Sequence, residues 1–194
     1  MKDNKYISRL EDVIKQMLTP LKDIPFNLVI ESLTGKKVIP FDFKSPGDRE
    51  ILNILKKVAI LAGKDINKSG VESKRPNEVG NYIEAFVKKA MQQYSLNPDV
   101  PAGATGKKKA TGYPDIVFFF KDKPYYLECK TYNLENISTT QRSFYFSPSD
   151  DFKVIYDTHH FILSYEMILD GRKADKNIYR CGHYKILSLE SLSL

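Results

Sequence analysis

Three stretches of the chain place apolar residues at three- and four-residue intervals, the mark of a helix with one buried face. Tyr6, Ile7, Leu10, Val13, Ile14, Met17 and Leu18 predict a helix over 4–18 that ends near Pro20. Ile51, Leu52, Leu55, Val58 and Leu61 predict a second, opened by Ser45-Pro46 and stopped near Gly63. Val79, Ile83, Phe86, Val87, Ala90, Met91 and Tyr94 predict a third, with Asn77 as its N-cap. Phe26 to Leu33 and Val38-Ile39, joined by Thr34-Gly35-Lys36-Lys37, read as a small hairpin, and the polar stretch 64–75 as a loop.

Strand signals dominate the second half. The unbroken run Ile116 to Phe120 is followed by Lys121-Asp122-Lys123-Pro124 and then by Tyr125-Tyr126-Leu127, which predicts a hairpin. Phe161-Ile162-Leu163, Met167-Ile168-Leu169 and Ile178 to Leu187 predict a strand pair around an Asp170-Gly171 turn. Helices combined with such strands make the fold class α/β, a central mixed sheet flanked by helices. A chain of 194 residues is expected to form one domain. We divide it into an N-terminal elaboration (1–75), a core (76–169) and a C-terminal strand region (170–194).

Charged residues stand inside the apolar hairpin. Asp115, after Pro114, opens its first strand; Glu128 and Lys130 lie on its second, two apart and so on one face, with Cys129 turned to the core. The three polar groups can therefore meet at one end of the hairpin. Buried acids and lysines are costly unless paired or metal-bound. Two adjacent carboxylates repel unless a cation lies between them, and a hard, oxygen-seeking ion such as Mg²⁺ suits them. The competing reading is an ordinary hairpin with solvated or ion-paired ends. Glu72-Ser73-Lys74 repeats the acid-x-lysine spacing, but in a loop-like stretch. Pro98-Asp99 repeats the proline-acid pair, but no apolar strand follows it.

Pro114-Asp115 followed by Glu128-x-Lys130 resembles the signature of the PD-(D/E)XK nuclease superfamily, and most nearly its type II restriction endonucleases. The resemblance covers roughly residues 77–169. Members carry an upstream helical acid, often four residues after a glycine, and Gly80-Asn81-Tyr82-Ile83-Glu84 matches that arrangement. A plain surface Glu84–Lys88 pair competes with it. The resemblance implies a restriction-endonuclease-like core and Mg²⁺-dependent hydrolysis of phosphodiester bonds in double-stranded DNA. Asp115 and Glu128 would bind the metal, joined by the Cys129 backbone carbonyl, and Glu84 would complete the shell. Lys130 would orient or deprotonate the attacking water. It also implies a cognate DNA methyltransferase; equal treatment of two antiparallel strands favours a homodimer. A structure-specific repair or junction nuclease of the same fold, and a non-catalytic DNA-binding protein, stand as alternatives.

Composition adds direction. The net charge of +6, from 30 Lys plus Arg against 24 acids, suits a polyanionic partner without requiring one. Lys107-Lys108-Lys109 lie in a stretch from Val100 to Pro114 that has no acid and has glycines at 103, 106 and 112. That loop runs directly into Asp115, so it is either a phosphate contact or a mobile, solvated loop. Asn133, Asn136, Ser138, Thr139, Thr140, Gln141 and Arg142 follow the motif; they are base- or phosphate-contacting types, or a plain loop. The 2 cysteines make no disulfide framework, no apolar run approaches the roughly 20 residues of a membrane span, and no secretory segment opens the chain, so a reducing cytoplasm is expected. The 3 histidines lack zinc-site spacing and read as strand or surface residues.

Overall fold

The β-hairpin that carries the charged motif is one edge of a five-stranded mixed sheet. In a computed structural model, which describes residues 24–75, 78–133 and 151–193 together with Ile7, Arg9, Leu10, Glu11 and Val13, the element order is α1 (Phe26–Thr34), α2 (Pro46–Ser69), β1 (Val71–Ser73), α3 (Gly80–Gln92), β2 (Ile116–Phe120), β3 (Lys123–Tyr132), β4 (His160–Lys173) and β5 (Lys176–Ser188). The strand order is β1-β5-β4-β3-β2; β3 and β4 run parallel, and the other neighbours are antiparallel. This is the mixed sheet with flanking helices that the sequence predicts. The parallel pair requires a crossover between β3 and β4, which antiparallel neighbours do not.

Helices α2 and α3 cover one face. Ile51, Leu55, Val58, Ala59, Ala62 and Ile66 of α2 pack with Ile83, Val87, Ala90 and Met91 of α3 and with Ile116, Phe118, Leu127, Cys129, Leu163 and Tyr165 of the sheet. The Tyr165 hydroxyl donates to the Ala59 carbonyl at 2.9 Å, fastening β4 to α2. A smaller cluster of Phe26, Ile30, Tyr113, Tyr126, Ile162 and Leu189 brings α1 into contact with residues of β3 and β4.

Several expectations are corrected. Residues 26–34 are a helix, not a strand of a hairpin: Phe26 and Ile30, four apart, are its buried residues, and Gly35 closes it at φ 67° with its N–H on the Glu31 carbonyl. Helix α2 passes through Gly63, because Tyr165 and Cys181 lie close above that position and Ile66 beyond it is buried. It ends instead at Gly70, whose φ of 69° suits a residue without a side chain. Residues 64–75 thus hold the last helical turns and strand β1 rather than a loop. Asp170-Gly171 lies within β4 beside a bulge, and the turn falls at Ala174-Asp175, so both strands run longer than predicted. The β2–β3 turn is as expected but tighter: Lys121 and Asp122 both take left-handed φ, 49° and 60°, and Lys123 and Pro124 already belong to β3.

The helical residues Ile7, Arg9, Leu10, Glu11 and Val13 fall within the first predicted helix. Asn77, Asn136, Ser138, Thr139, Thr140, Gln141 and Arg142 lie outside the described residues. Both cysteines are free. Among the described residues no helix is long and apolar enough to cross a membrane. Phe118, fully buried between the helices and β3, tests the packing that supports the site. Phe118→Ala is expected to cost about 3–5 kcal/mol, read as a lowered denaturation midpoint in urea. A loss under about 1 kcal/mol would contradict this packing.

Candidate active site

Hairpin register creates the site. Ile116 pairs with Leu127, so Asp115, one step before Ile116, comes level with Glu128, one step after Leu127. The Asp115 Oδ2 accepts the Cys129 N–H at 2.8 Å, which fixes the carboxylate at the end of the ladder. A strand residue carries its N–H and C=O toward the same side, so the Cys129 carbonyl faces that end as well. The Cys129 side chain is buried in the core beneath α2 and α3, as expected. Glu128 and Lys130 share the opposite face, and the Lys130 Nζ lies 2.8 Å from the Glu128 Oε1. These residues line a cleft of about 510 Å³, walled also by Glu84 of α3 and by the Thr111-Gly112 backbone.

The electrostatics are strained. Glu128 is 4% exposed, and its Oε2 has no hydrogen-bond partner. Burial, and then the nearby Asp115 charge, push its pKa up to about 7 against the pull of Lys130. Burial also raises Asp115, against the Cys129 hydrogen bond, and the Glu84 charge adds to the rise. An orphaned, buried carboxylate oxygen beside a second carboxylate is a donor set for a hard cation. Among the described residues no group of three or more His, Cys, Asp or Glu side chains is gathered to hold a metal. Two carboxylates still fit Mg²⁺, which keeps several waters and takes one or two protein carboxylates together with substrate phosphate.

The remaining candidates divide. Glu84 lines the cleft and also forms the i,i+4 pair, its Oε1 lying 2.5 Å from the Lys88 Nζ. Lys108 is held by Asp99 at 2.6 Å and Lys109 by Asp151 at 3.1 Å, while Lys107 is exposed at the loop tip. The loop is therefore braced: Asp151 also accepts from the Thr105 N–H at 3.2 Å and the Thr105 hydroxyl at 2.8 Å. Asn133 is partly buried just past the end of β3, and Thr139, Thr140, Gln141 and Arg142 are not described. Glu72 and Lys74 stand at the far edge of the sheet, paired with Lys173 and Asp175. Asp99 makes an isolated bridge to Val117 of β2 and holds Lys108; as expected, no strand follows that proline-acid pair before β2. His160 is a buried strand residue whose Nδ1 meets the Tyr113 hydroxyl at 2.6 Å; burial lowers its pKa to about 3, which keeps it neutral.

Sequence reasoning passed over Lys153. It is 4% exposed, and its ammonium donates to the carbonyls of Thr111 and Gly112 in the cleft wall. Its one signal in the sequence is a lone lysine between Phe152 and Val154, a charge at a core-like position.

The mixed sheet, its helices and this carboxylate–lysine cleft define a restriction-endonuclease-like α/β protein. A family model for the type II restriction enzyme MjaV family matches residues 20–194, well beyond the span of the motif. The chain is also 36% identical to the type II restriction enzyme MjaV of Methanocaldococcus jannaschii, over 99% of this chain and 88% of that protein. It belongs to the MjaV family of type II restriction enzymes, and so is a site-specific deoxyribonuclease acting on DNA.

The raised Glu128 pKa has a signature in the metal-free protein. Between pH about 4.5 and 7 the folded state holds a proton at Glu128 that the unfolded chain has released. Unfolding free energy therefore falls as pH rises through that window. Thermal melts in excess chelator should show this decline, and Glu128→Gln should flatten it and melt higher than the parent at pH 8. Parallel curves for the two proteins would show that Glu128 is not desolvated as described.

Proposed function

We propose that this chain is a Mg²⁺-dependent restriction endonuclease that hydrolyses both strands of double-stranded DNA through Asp115, Glu128 and Lys130. The observation that carries the reading is the buried, unpartnered Glu128 Oε2 beside Asp115, in a cleft whose wall includes a lysine. Asp115, Glu128 and the Cys129 carbonyl would hold Mg²⁺, with Glu84 completing the shell once it exchanges Lys88 for the cation. When bound, Mg²⁺ supplies Lewis-acid polarisation of the scissile phosphate and lowers the pKa of water. Lys130 orients the attacking water and offsets negative charge growing on the phosphate oxygens, work that a fixed ammonium in a partly water-excluded cleft does well. Asp115, tied to the Cys129 N–H, keeps its position without reorganising.

Residues 1–194 act as one nuclease domain, working in the cytoplasm as a twofold homodimer with one cleft per strand, alongside a methyltransferase that protects host DNA. Lys107, Lys108 and Lys109 contact phosphates, the latter two exchanging Asp99 and Asp151 for DNA. Asn133, Thr139, Thr140, Gln141 and Arg142 approach DNA beyond the end of β3, with Arg142 the candidate reader of guanine.

Digestion of mixed plasmid DNA followed by end sequencing tests the reading. Cleavage should require Mg²⁺, and Asp115→Ala, Glu128→Ala and Lys130→Ala should each slow it by roughly 100-fold or more. Glu72→Ala and Lys74→Ala should cut at the parent rate. Cutting in excess chelator, or an unimpaired Lys130→Ala, would overturn the assignment.

The basic loop has its own readout. Replacing Lys107, Lys108 and Lys109 together should weaken binding to all sequences alike. The slope of log affinity against log salt should fall by about 1 for each phosphate that the variant no longer neutralises. An unchanged slope would remove the loop from the interface.

A further inference from the structure

Lys153 places a charge at a core position. It is almost fully buried, and among the described residues no carboxylate pairs with it directly, although such a charge is normally excluded from a core. Its backbone is locked in place: the Tyr126 hydroxyl donates to the Lys153 carbonyl at 3.2 Å and accepts the Ile155 N–H at 2.9 Å. Its side chain does not open to the cleft. It borders a separate cavity of about 120 Å³ with Asp99, Val117 and Tyr126. From there its ammonium reaches the back of the cleft wall, donating to Gly112 and, at 3.4 Å, to Thr111. Desolvation lowers its pKa, while Asp115, Glu128 and Glu84 act on it in the opposite sense. Those three carboxylates and the two carbonyls all favour the charged form.

We propose that Lys153 is a positioning residue: it fixes a positive charge behind the Asp115–Glu128 pair and holds down the divalent-cation affinity of the site, in the DNA-free and the DNA-bound enzyme alike. This rests on the reading that Asp115 and Glu128 bind the cation. A buried charge that cannot move away acts on the pair whether or not DNA is present. The scissile phosphate adds negative charge only in the complex and there offsets it. Lys130 and Lys88 contribute positive charge too, but both are partly exposed and paired directly with carboxylates. Lys153 is enclosed and held by two carbonyls. Its removal should not release Asp115, whose carboxylate is held separately by the Cys129 N–H at 2.8 Å. Loss of the charge, rather than loss of the tether, should therefore dominate.

The test is calorimetric titration of Ca²⁺ alone into metal-stripped protein, without DNA and then with a duplex carrying the mapped cleavage site. Lys153→Met removes charge and donor; Lys153→Gln keeps a donor; Lys153→Arg keeps both. The Met and Gln variants should bind Ca²⁺ on the order of tenfold more tightly than the parent without DNA, as expected for removal of a unit charge in a poorly screened site. The same tightening should persist with DNA, because the buried charge acts in both states, and Lys153→Arg should match the parent. A merely structural lysine predicts the opposite sign, since a loosened site binds more weakly. Equal or weaker binding by the folded Met and Gln variants overturns the proposal. So does failure of every uncharged variant to fold by circular dichroism, which would make Lys153 a structural cation. Asp115→Ala separates the two levels. If it binds Ca²⁺ as the parent does, the metal reading itself falls; if it abolishes binding while the Lys153 variants match the parent, only the role of Lys153 falls.

Discussion

Two carboxylates face each other across the open end of a hairpin, and one of them is almost completely removed from water. Left to themselves, Asp115 and Glu128 would repel and destabilise the strands that carry them. Much of the surrounding structure offsets that repulsion. Lys130 lies against Glu128, a backbone N–H of β3 is spent on Asp115, and Lys153 charges the wall from behind. On the proposed reading a divalent cation would complete what these groups leave unfinished, since one oxygen of Glu128 has no partner. An arrangement that costs stability in the metal-free protein is what a site built to bind metal and phosphate requires.

The rest of the fold holds that end of the hairpin rigid. Helices α2 and α3 cover the core face of β2, β3 and β4, so Leu127 and Cys129 are anchored on one side while Glu128 and Lys130 stand on the other. Gly63 lets α2 lie close under Tyr165 and Cys181, which keeps the helix continuous to Ser69. Asp151 and Lys153 brace the glycine-rich loop that enters β2, the first through Thr105 and Lys109, the second through Thr111 and Gly112. The loop is thus presented in a defined shape, with Lys107 exposed and its two neighbours engaged by acids. The exposed Lys108–Asp99 pair is worth only a fraction of a kcal/mol up to about 1, whereas the Lys109–Asp151 pair is partly buried.

Local pattern was legible wherever one periodicity ruled. The stripe of α3 and the apolar runs of β2 and β3 appear as read, and Asp115, Glu128 and Lys130 meet around one cleft at the end of the hairpin. Pattern failed where two signals overlapped. Phe26 to Leu33 is rich enough in apolar residues to suit either a strand or a helix, and burial of Phe26 and Ile30 together decided for the helix. Gly63 and Asp170-Gly171 carry the chemistry of breaks, yet the first serves close packing and the second a bulge.

The sequence by itself determined the chemistry of the site. A residue spacing of two on a strand settles which side chains share a face, and that is local geometry needing no knowledge of the rest of the chain. The register across the hairpin was not settled this way: the connection read as four residues is a two-residue turn, which sets Glu128 level with Asp115. Only the tertiary structure decided how the charges are balanced. Glu84 belongs to the cleft because α3 packs beside β3, Lys108 and Lys109 have acids beside them because the loop folds back, and Lys153 reaches the cleft wall from 41 residues beyond Gly112. Coulomb interactions depend on distance and on exclusion of water, and neither is written in residue order.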